Sequence, residues 1–287
     1  MDKIDISKFK GQNLNYVISE AEKLEYESLE GKINAHKLYT ECLKNVSSDY
    51  NKFQYSLRGV LREKIWNIER YFGWNNEFCS QAGQDKFIDE KFFSNKSSEG
   101  FFLEIGAYDG KIGSNCFYFE KFKKWQGIAI EPSNQQFVLL KKNRNCSLIN
   151  KAISNKNGTH KFYEVREGLT QVSGLDENYY QKKYNKIKKD KNTVIKEIMV
   201  KTITLDSLIS EYSIKEIDYC SIDVEGGEFS IIENFDFSKC LIKVISLENS
   251  ESDKTHYNSI LEKHGYQFLD CVGDDEIWFK KNYFNFK

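Results

Sequence analysis

The chain has 287 residues, of which 40% are hydrophobic, 15% aromatic and 30% charged, and its formal net charge is -1. With 21 Phe, 17 Tyr and 4 Trp against a single proline, it is neither a disordered chain nor a collagen-like, polyproline or Pro-linked modular one. The balanced charge speaks against a generic nucleic-acid binder, which carries a basic excess.

A chain of this length is expected to form one large domain, or one domain with an appendage. The cysteines, Cys42, Cys79, Cys116, Cys146, Cys220, Cys240 and Cys271, are odd in number and widely spaced, with no C-x-x-C pair and no nearby histidine at zinc-ligand spacing. They read as reduced thiols. The start, Met1-Asp2-Lys3-Ile4-Asp5, lacks an apolar stretch of signal-peptide length, and no run approaches the ~20 apolar residues of a membrane span. A cytoplasmic protein without a membrane span is expected.

Residues 1–75 are polar and helix-prone, with Leu24, Tyr26, Leu29, Ile33, Leu38, Leu43 and Val46 at spacings that suit helices. They form an expected helical appendage that packs on the main domain or on a second copy in a homo-oligomer. Residues 76–287 form the expected main domain. From residue 100 short apolar runs alternate with amphipathic segments: strand 101–105, helix 114–124, strand 127–130, helix 133–143 and strand 147–149. Helix 204–212, strand 217–222, helix 228–234 and strand 241–247 follow a gap. Helix 255–264 then precedes two strand-like runs, 266–269 and 276–279, split by Gly273-Asp274-Asp275. Such alternation predicts an α/β fold with a mostly parallel sheet, helices on both faces and a closing antiparallel hairpin.

The gap holds a polar insertion at about 168–197 whose core carries Lys182, Lys183, Lys186, Lys188, Lys189, Lys191 and Lys196 against Asp190. It reads either as a solvated helix face or as a lid whose lysines meet an anion.

The first strand runs into Glu104-Ile105-Gly106-Ala107-Tyr108-Asp109-Gly110. This is E-x-G-x-x-x-G and lacks the G-x-G-x-x-G spacing of a dinucleotide loop. Glycine lets the loop approach a ligand closely. Glu104 and Asp109 would repel a pyrophosphate but suit a cationic amino-acid group, which favours S-adenosylmethionine over NAD. The second strand ends at Glu131, where an acid commonly accepts hydrogen bonds from ribose hydroxyls. Pro132 keeps Glu131 extended at the strand tip, and Ser133 can cap the next helix.

Five blocks in order, Ser80-Gln81-Ala82-Gly83-Gln84-Asp85, Phe102 to Gly110, Ser114-Asn115, Trp125 to Pro132, and Ile222-Asp223-Val224-Glu225-Gly226-Gly227-Glu228, resemble the FkbM family of S-adenosylmethionine-dependent methyltransferases over residues 79–280. The resemblance implies a Rossmann-like class I methyltransferase fold with a seven-stranded sheet, and O-methylation, often of sugar hydroxyls in surface polysaccharides, glycolipids or natural products. It places Gln84 and Asp85 near the cofactor and Ser114-Asn115 beside its methionine end. Together with Glu104, Gly106, Ala107, Asp109, Gly110, Glu131, Pro132, Lys151, Ala152 and Asp223 they make the expected cofactor set.

The fourth strand delivers Asp223 and Glu225, with Gly226-Gly227 turning into a helix. Glu228 is explained by the helix dipole alone. The fifth strand ends at Glu248-Asn249. An acid after one strand and an acid-amide pair after the next resemble the metal site of catechol-type and sugar-type O-methyltransferases, so Asp223, Glu248 and Asn249 are candidate Mg²⁺ ligands. The alternative is that Asp223 and Glu248 meet cofactor and substrate directly. A sugar hydroxyl must lose its proton as the methyl arrives, and Glu225, Asp223 and His256 are the candidate bases, the carboxylates first. The expected activity is therefore O-methylation of a sugar hydroxyl, on a nucleotide-activated sugar or a surface glycan precursor. An NAD-dependent sugar oxidoreductase or epimerase, and a non-catalytic partner subunit of the same fold, stand as alternatives.

Overall fold

The computed structural model describes residues 9, 11–50, 54–95, 99–176, 187, 189–249 and 256–284. Three helices open it: α1 (Leu14–Glu27), α2 (Leu29–Asn45) and α3 (Gln54–Tyr71). Asn13 and Ser28 accept hydrogen bonds from the backbone N–H groups of Asn15 and Gly31, satisfying donors that helix starts leave open. Val17, Ala21, Ala35, Leu38, Tyr39, Leu61 and Ile68 form a small core between the three.

The short α4 (Gln84–Ile88) and a π-helical turn lead into β1 (Phe101–Ile105), α5 (Phe117–Lys121), β2 (Gln126–Ile130), α6 (Asn134–Asn143) and β3 (Ser147–Ile149). Then come β4 (Ala152–Ile153), β5 (Gly158–Glu167), β6 (Gly174–Leu175) and β7 (Val194–Ile203). The chain continues through α7 (Leu205–Glu211), β8 (Glu216–Ile222), α8 (Glu228–Glu233), β9 (Leu241–Glu248), α9 (His256–Leu261), β10 (Tyr266–Val272) and β11 (Asp275–Lys280).

Seven strands make one sheet in the order β10-β11-β9-β8-β1-β2-β3. All pairs are parallel except those of β11, which runs antiparallel to β9 and β10. This is the α/β, Rossmann-like arrangement with the closing hairpin that the sequence predicts. Alternation along the buried strands divides the core into two layers. Leu103 and Ile105 pack with Leu208 of α7, Ile232 of α8 and Leu261 of α9. Phe102 points the other way, into a layer with Ile88 of α4, Phe119 of α5 and Tyr219. The chain runs from β1 through β2 to β3 at one edge and from β8 through β9 toward the other, so the strand order reverses between β1 and β8, where open α/β sheets hold ligands.

The N-terminal helices pack on the β10 edge. Arg58 donates from Nε and Nη2 to the Asp270 carboxylate at 2.6 and 2.7 Å, and Arg62 Nη2 adds a third bond at 2.5 Å. A β-carbon on Gly59 would come within 2.1 Å of the Gly273 carbonyl, so helix and hairpin turn are in backbone contact. Covering β10 in this way shields an otherwise open sheet edge. Among the described residues no helix is long and apolar enough to cross a membrane.

The main departure from expectation lies between β3 and β8. The segment expected to be a polar insertion, as a solvated helix face or a lid, contributes to a second, four-stranded sheet of order β4-β7-β5-β6, built on the long antiparallel pair β5 and β7. β7 starts at Val194, inside the expected insertion. Lys182, Lys183, Lys186 and Lys188 lie outside the described residues. Two helices are shorter than expected. Ser114 is held by Glu104 and accepts from the Phe117 N–H at 2.9 Å, so the helix expected from 114 begins at Phe117. The helix expected to reach 264 stops at Leu261 and continues as a 3-10 turn closed by Gly265 at φ 76°.

Candidate active site

The tips of β1 and β8 interlock at Gly106 and Asp223. Gly106 sits at φ 88°, and a β-carbon there would lie 1.7 Å from the Asp223 carbonyl oxygen. The Asp223 N–H donates to the Ile105 carbonyl at 3.0 Å, and the N–H groups of Gly106 and Ala107 both donate to Ile130. Three strand ends are thereby fixed against one another, and only glycine fits their junction.

Beside this junction Glu131 closes β2. Its carboxylate accepts the N–H of Tyr108 at 2.9 Å and of Ser133 at 2.7 Å. Burial pushes its pKa up to about 8, against the pull of those two donors and with help from the charges of Glu164 and Asp223. Gly106, Ala107, Glu131, Pro132, Lys151, Ala152, Asp223 and Glu225 line one open cleft, with Ser114 at its wall. The expected cofactor residues thus fall into two groups, those that reach this cleft and those that do not.

Glu248 stands beside the cleft-lining Asp223 and Glu225, and the three offer one carboxylate oxygen each within 4.8 Å of one another. Glu225 adopts φ 66° and Gly226 φ 121°, a left-handed turn that is costly for a glutamate. Glu228 holds the turn: its carboxylate accepts the N–H groups of Val224 at 2.8 Å and Gly226 at 3.1 Å. Burial, and then the Asp223 charge, raises the Glu228 pKa to about 7. Asp275, fully enclosed next to this group, is pushed well above the carboxylate range by burial and by Asp223. Asn249 donates to neighbours of its own through both nitrogens. Its Nδ2 donates to Glu276 at 2.5 Å and its N–H to the Asp274 carbonyl at 2.9 Å, and Glu225 takes the third place in the acidic group. His256 opens α9, and its side chain lies outside the described residues.

Several expected cofactor residues have internal partners instead. Glu104 is buried and accepts from Arg144 Nη1 at 2.6 Å and Ser114 Oγ at 2.6 Å, while Arg144 Nε reaches Glu120 at 2.5 Å. A carboxylate enclosed by its own guanidinium is not the free anion read from the loop pattern. Asp109 accepts the N–H groups of Lys111 and Ile112, both at 2.8 Å, and shapes the loop. Gly110, at φ 83°, leaves room for Leu140 and Arg144. Asp85 is buried under the N–H groups of Cys79 and Lys86 and the Ser80 hydroxyl, and burial raises its pKa to about 6. Gln84 accepts the Ala82 N–H at 2.8 Å. Asn115 donates to Ser221 at 2.9 Å and Asp275 at 3.3 Å. These residues support the cleft from behind.

Sequence reasoning missed Gln81, Tyr108, Gln136, Phe162, Thr170 and Gln171, which also line the cleft. Tyr108, at φ 49°, hydrogen-bonds through its hydroxyl to Thr170 at 2.6 Å, joining the glycine loop to the 3-10 turn between β5 and β6. Ser133 adds a 2.7 Å bond to Glu164 of β5. The second sheet is therefore one wall of the cleft.

Residues 104–268 match the family model described as the methyltransferase FkbM domain. No curated protein matches the chain. Among solved structures, it is similar to methyltransferase FkbM from Methylobacillus flagellatus KT, at 12% identity and TM-score 0.41 over 86% of this chain and 59% of that one. It thus spans about three-fifths of that protein. It is also similar to a TehB-like SAM-dependent methyltransferase from Corynebacterium glutamicum, at 10% identity and TM-score 0.37 over 75% and 96% of the two chains. A third similar structure is a precorrin-6y C5,15-methyltransferase from Geobacter metallireducens, at 12% identity and TM-score 0.36 over 71% and 93%.

Proposed function

Because the chain belongs to the family of FkbM methyltransferases, we propose that it transfers the methyl group of S-adenosylmethionine to a sugar hydroxyl, on a nucleotide-activated sugar or a surface glycan precursor. One observation carries this reading: the cleft lined by Gly106 and Glu131 also receives Asp223 and Glu225. Glu131 suits a ribose diol, and the open backbone at Gly106 suits close approach of the methionine part. The carboxylates at the other side meet the chemical need of the acceptor. As the acceptor oxygen bonds to the methyl carbon, the sulfur–methyl bond breaks, the sulfur becomes neutral and the hydroxyl proton must leave.

Glu225 or Asp223 takes that proton, with Glu248 holding a neighbouring hydroxyl. His256 is the remaining candidate base. Fixing acceptor and donor in line is itself a large part of such catalysis. The three carboxylates also fit a hard cation such as Mg²⁺, whose bound form would lower a hydroxyl pKa. The lysine-rich segment before β7 suits the diphosphate of a nucleotide sugar.

The test is mass spectrometry of candidate nucleotide sugars after incubation with S-adenosylmethionine, with and without EDTA. A gain of one methyl on an oxygen supports the reading, and its loss with chelator supports the cation. Asp223→Ala and Glu225→Gln should abolish turnover while leaving cofactor binding largely intact. Full turnover by both variants, or methylation only at nitrogen or carbon, would overturn the assignment.

A further inference from the structure

The mouth of the cleft is crossed by a short strap. Between β5 and β6 the chain turns at Gly168, which adopts φ 76°, and continues with the exposed Leu169 and Gln171 on either side of a half-buried Thr170. Thr170 shares a 2.6 Å hydrogen bond with the Tyr108 hydroxyl. Gln171 lies over Gly113, where a β-carbon would come within 3.1 Å of Gln171 Nε2. Both contacts join the strap to the loop that follows β1, and Tyr108, Gly113, Thr170 and Gln171 all line the cleft. The buried Ile105 and Ile130 line it at the strand tips, whereas Leu169 is 50% exposed. The strap therefore spans the cleft at its solvent side.

Tyr108 is an unusual residue for its place. Bulky side chains seldom take a positive φ, and they persist there only where their surroundings hold them. Tyr108, at φ 49°, is held at both ends, by its N–H on the Glu131 carboxylate at 2.9 Å and by its hydroxyl on Thr170. Glycine or asparagine would make the same turn with less strain, so the ring and its hydroxyl call for another explanation. A single neutral hydrogen bond near solvent adds little net stability, because water can replace either partner. Such a bond opens and closes readily.

We propose that Tyr108 and Thr170 form a latch, which holds the strap across the cleft and opens to let the methyl-donor nucleoside in and its product out. The inference rests on the methyl-donor reading above and concerns the passage of that ligand rather than its contacts. Closure of this kind keeps water from the reacting groups, and lid opening often sets the rate of exchange. The latch closes over the empty and the filled cleft alike, so it slows entry and exit together and leaves affinity nearly unchanged. A residue that merely touched the ligand would act on exit and affinity instead.

The experiment follows S-adenosylhomocysteine binding to the full chain by surface plasmon resonance. Tyr108→Phe and Thr170→Val should each raise the association and dissociation rate constants by about fivefold, the factor expected from one neutral hydrogen bond, with Kd within about twofold of the wild type. The double variant should be no faster than either single one, since all three lack the same bond. Thr170→Ser keeps the hydroxyl and should retain the wild-type rates, which separates loss of the bond from disturbance of the turn. Unchanged rates in folded Tyr108→Phe and Thr170→Val proteins, or faster dissociation with unchanged association, would overturn the latch while leaving the methyl-donor reading intact. Failure of the wild type to bind S-adenosylhomocysteine would overturn both.

Discussion

The α-carbon of Gly106 lies so close under the Asp223 carbonyl that a β-carbon would come within 1.7 Å of its oxygen. The residue that opens the cofactor side of the cleft and the one that begins its acidic side are thus parts of a single backbone junction. Gly106→Ala would meet both this clash, against backbone that cannot swing away, and a positive φ that costs an alanine roughly 1–2 kcal/mol by itself. Thermal denaturation should show the midpoint lowered by more than about 5 °C, with loss of S-adenosylhomocysteine binding in calorimetry. A variant that melts like the wild type would show that the junction can open.

The Glu104–Arg144–Glu120 group yields a second expectation. Arg144→Leu leaves two buried carboxylates without their cation, and breaking such buried pairs costs about 3–5 kcal/mol. Urea unfolding should register that loss. Burial works to raise the Glu120 pKa, but the charge of Arg144 and its hydrogen bond bring it down to about 2. A depressed carboxylate contributes stability above its unfolded pKa that disappears as pH falls through the folded one. Acidification from pH 5 toward 2 should therefore weaken the wild type more steeply than Arg144→Leu. Were Glu104 instead serving a ligand from the cleft, Arg144→Leu would unfold at the same urea concentration as the wild type and lose only binding.

Docking of the N-terminal helices depends on Asp270, which lies between Arg58 and Arg62 with a side chain only 5% exposed. Burial pulls its pKa upward, and the Arg58 hydrogen bond with the Arg62 charge outweighs that and holds it below the ordinary value. Asp270→Asn removes the charge that two guanidinium groups share, at a cost of roughly 3 kcal/mol. Limited proteolysis should then cut within α1–α3 first and faster than in the wild type. Equal cutting rates would show that the backbone contact of Gly59 with Gly273 suffices.

The sequence made the parallel sheet legible for a physical reason: strands buried on both faces are continuous apolar runs, as in Gly127-Ile128-Ala129-Ile130. β5 and β7 were not recognised, since few of their positions are buried and lysine, glutamate and threonine interrupt their apolar residues, leaving no continuous apolar run. Among site residues, Asp223, Glu225 and Glu131 stood out because each ends an apolar strand. The part played by Glu104 was hidden, since its partner Arg144 comes from the far end of α6, and no local spacing announces a buried pair. The partner of Asn249 was hidden for a similar reason. The Asn249 Nδ2 donates to Glu276, on the strand that returns antiparallel beside β9.

Glu131 gives the cleft a pH dependence whose sign can be worked out. Its folded pKa of about 8 exceeds the ordinary 4.5, chiefly through burial. Such a group contributes stability that is complete below the unfolded pKa and is lost as pH rises through the folded one, so the free protein should weaken between about pH 4.5 and 8. Ligand binding runs the other way. Two ribose hydroxyls both donate, and only the ionised carboxylate can accept from both, so binding must draw a proton off Glu131 below pH 8. Affinity for S-adenosylhomocysteine should rise by up to about tenfold per pH unit from 6 toward 8 and then level off. Glu131→Gln cannot titrate, and its affinity should be weaker and flat over the same range. A wild-type profile as flat as that of the variant would mean that Glu131 is already ionised in the free protein, or that the ribose is held elsewhere in the cleft.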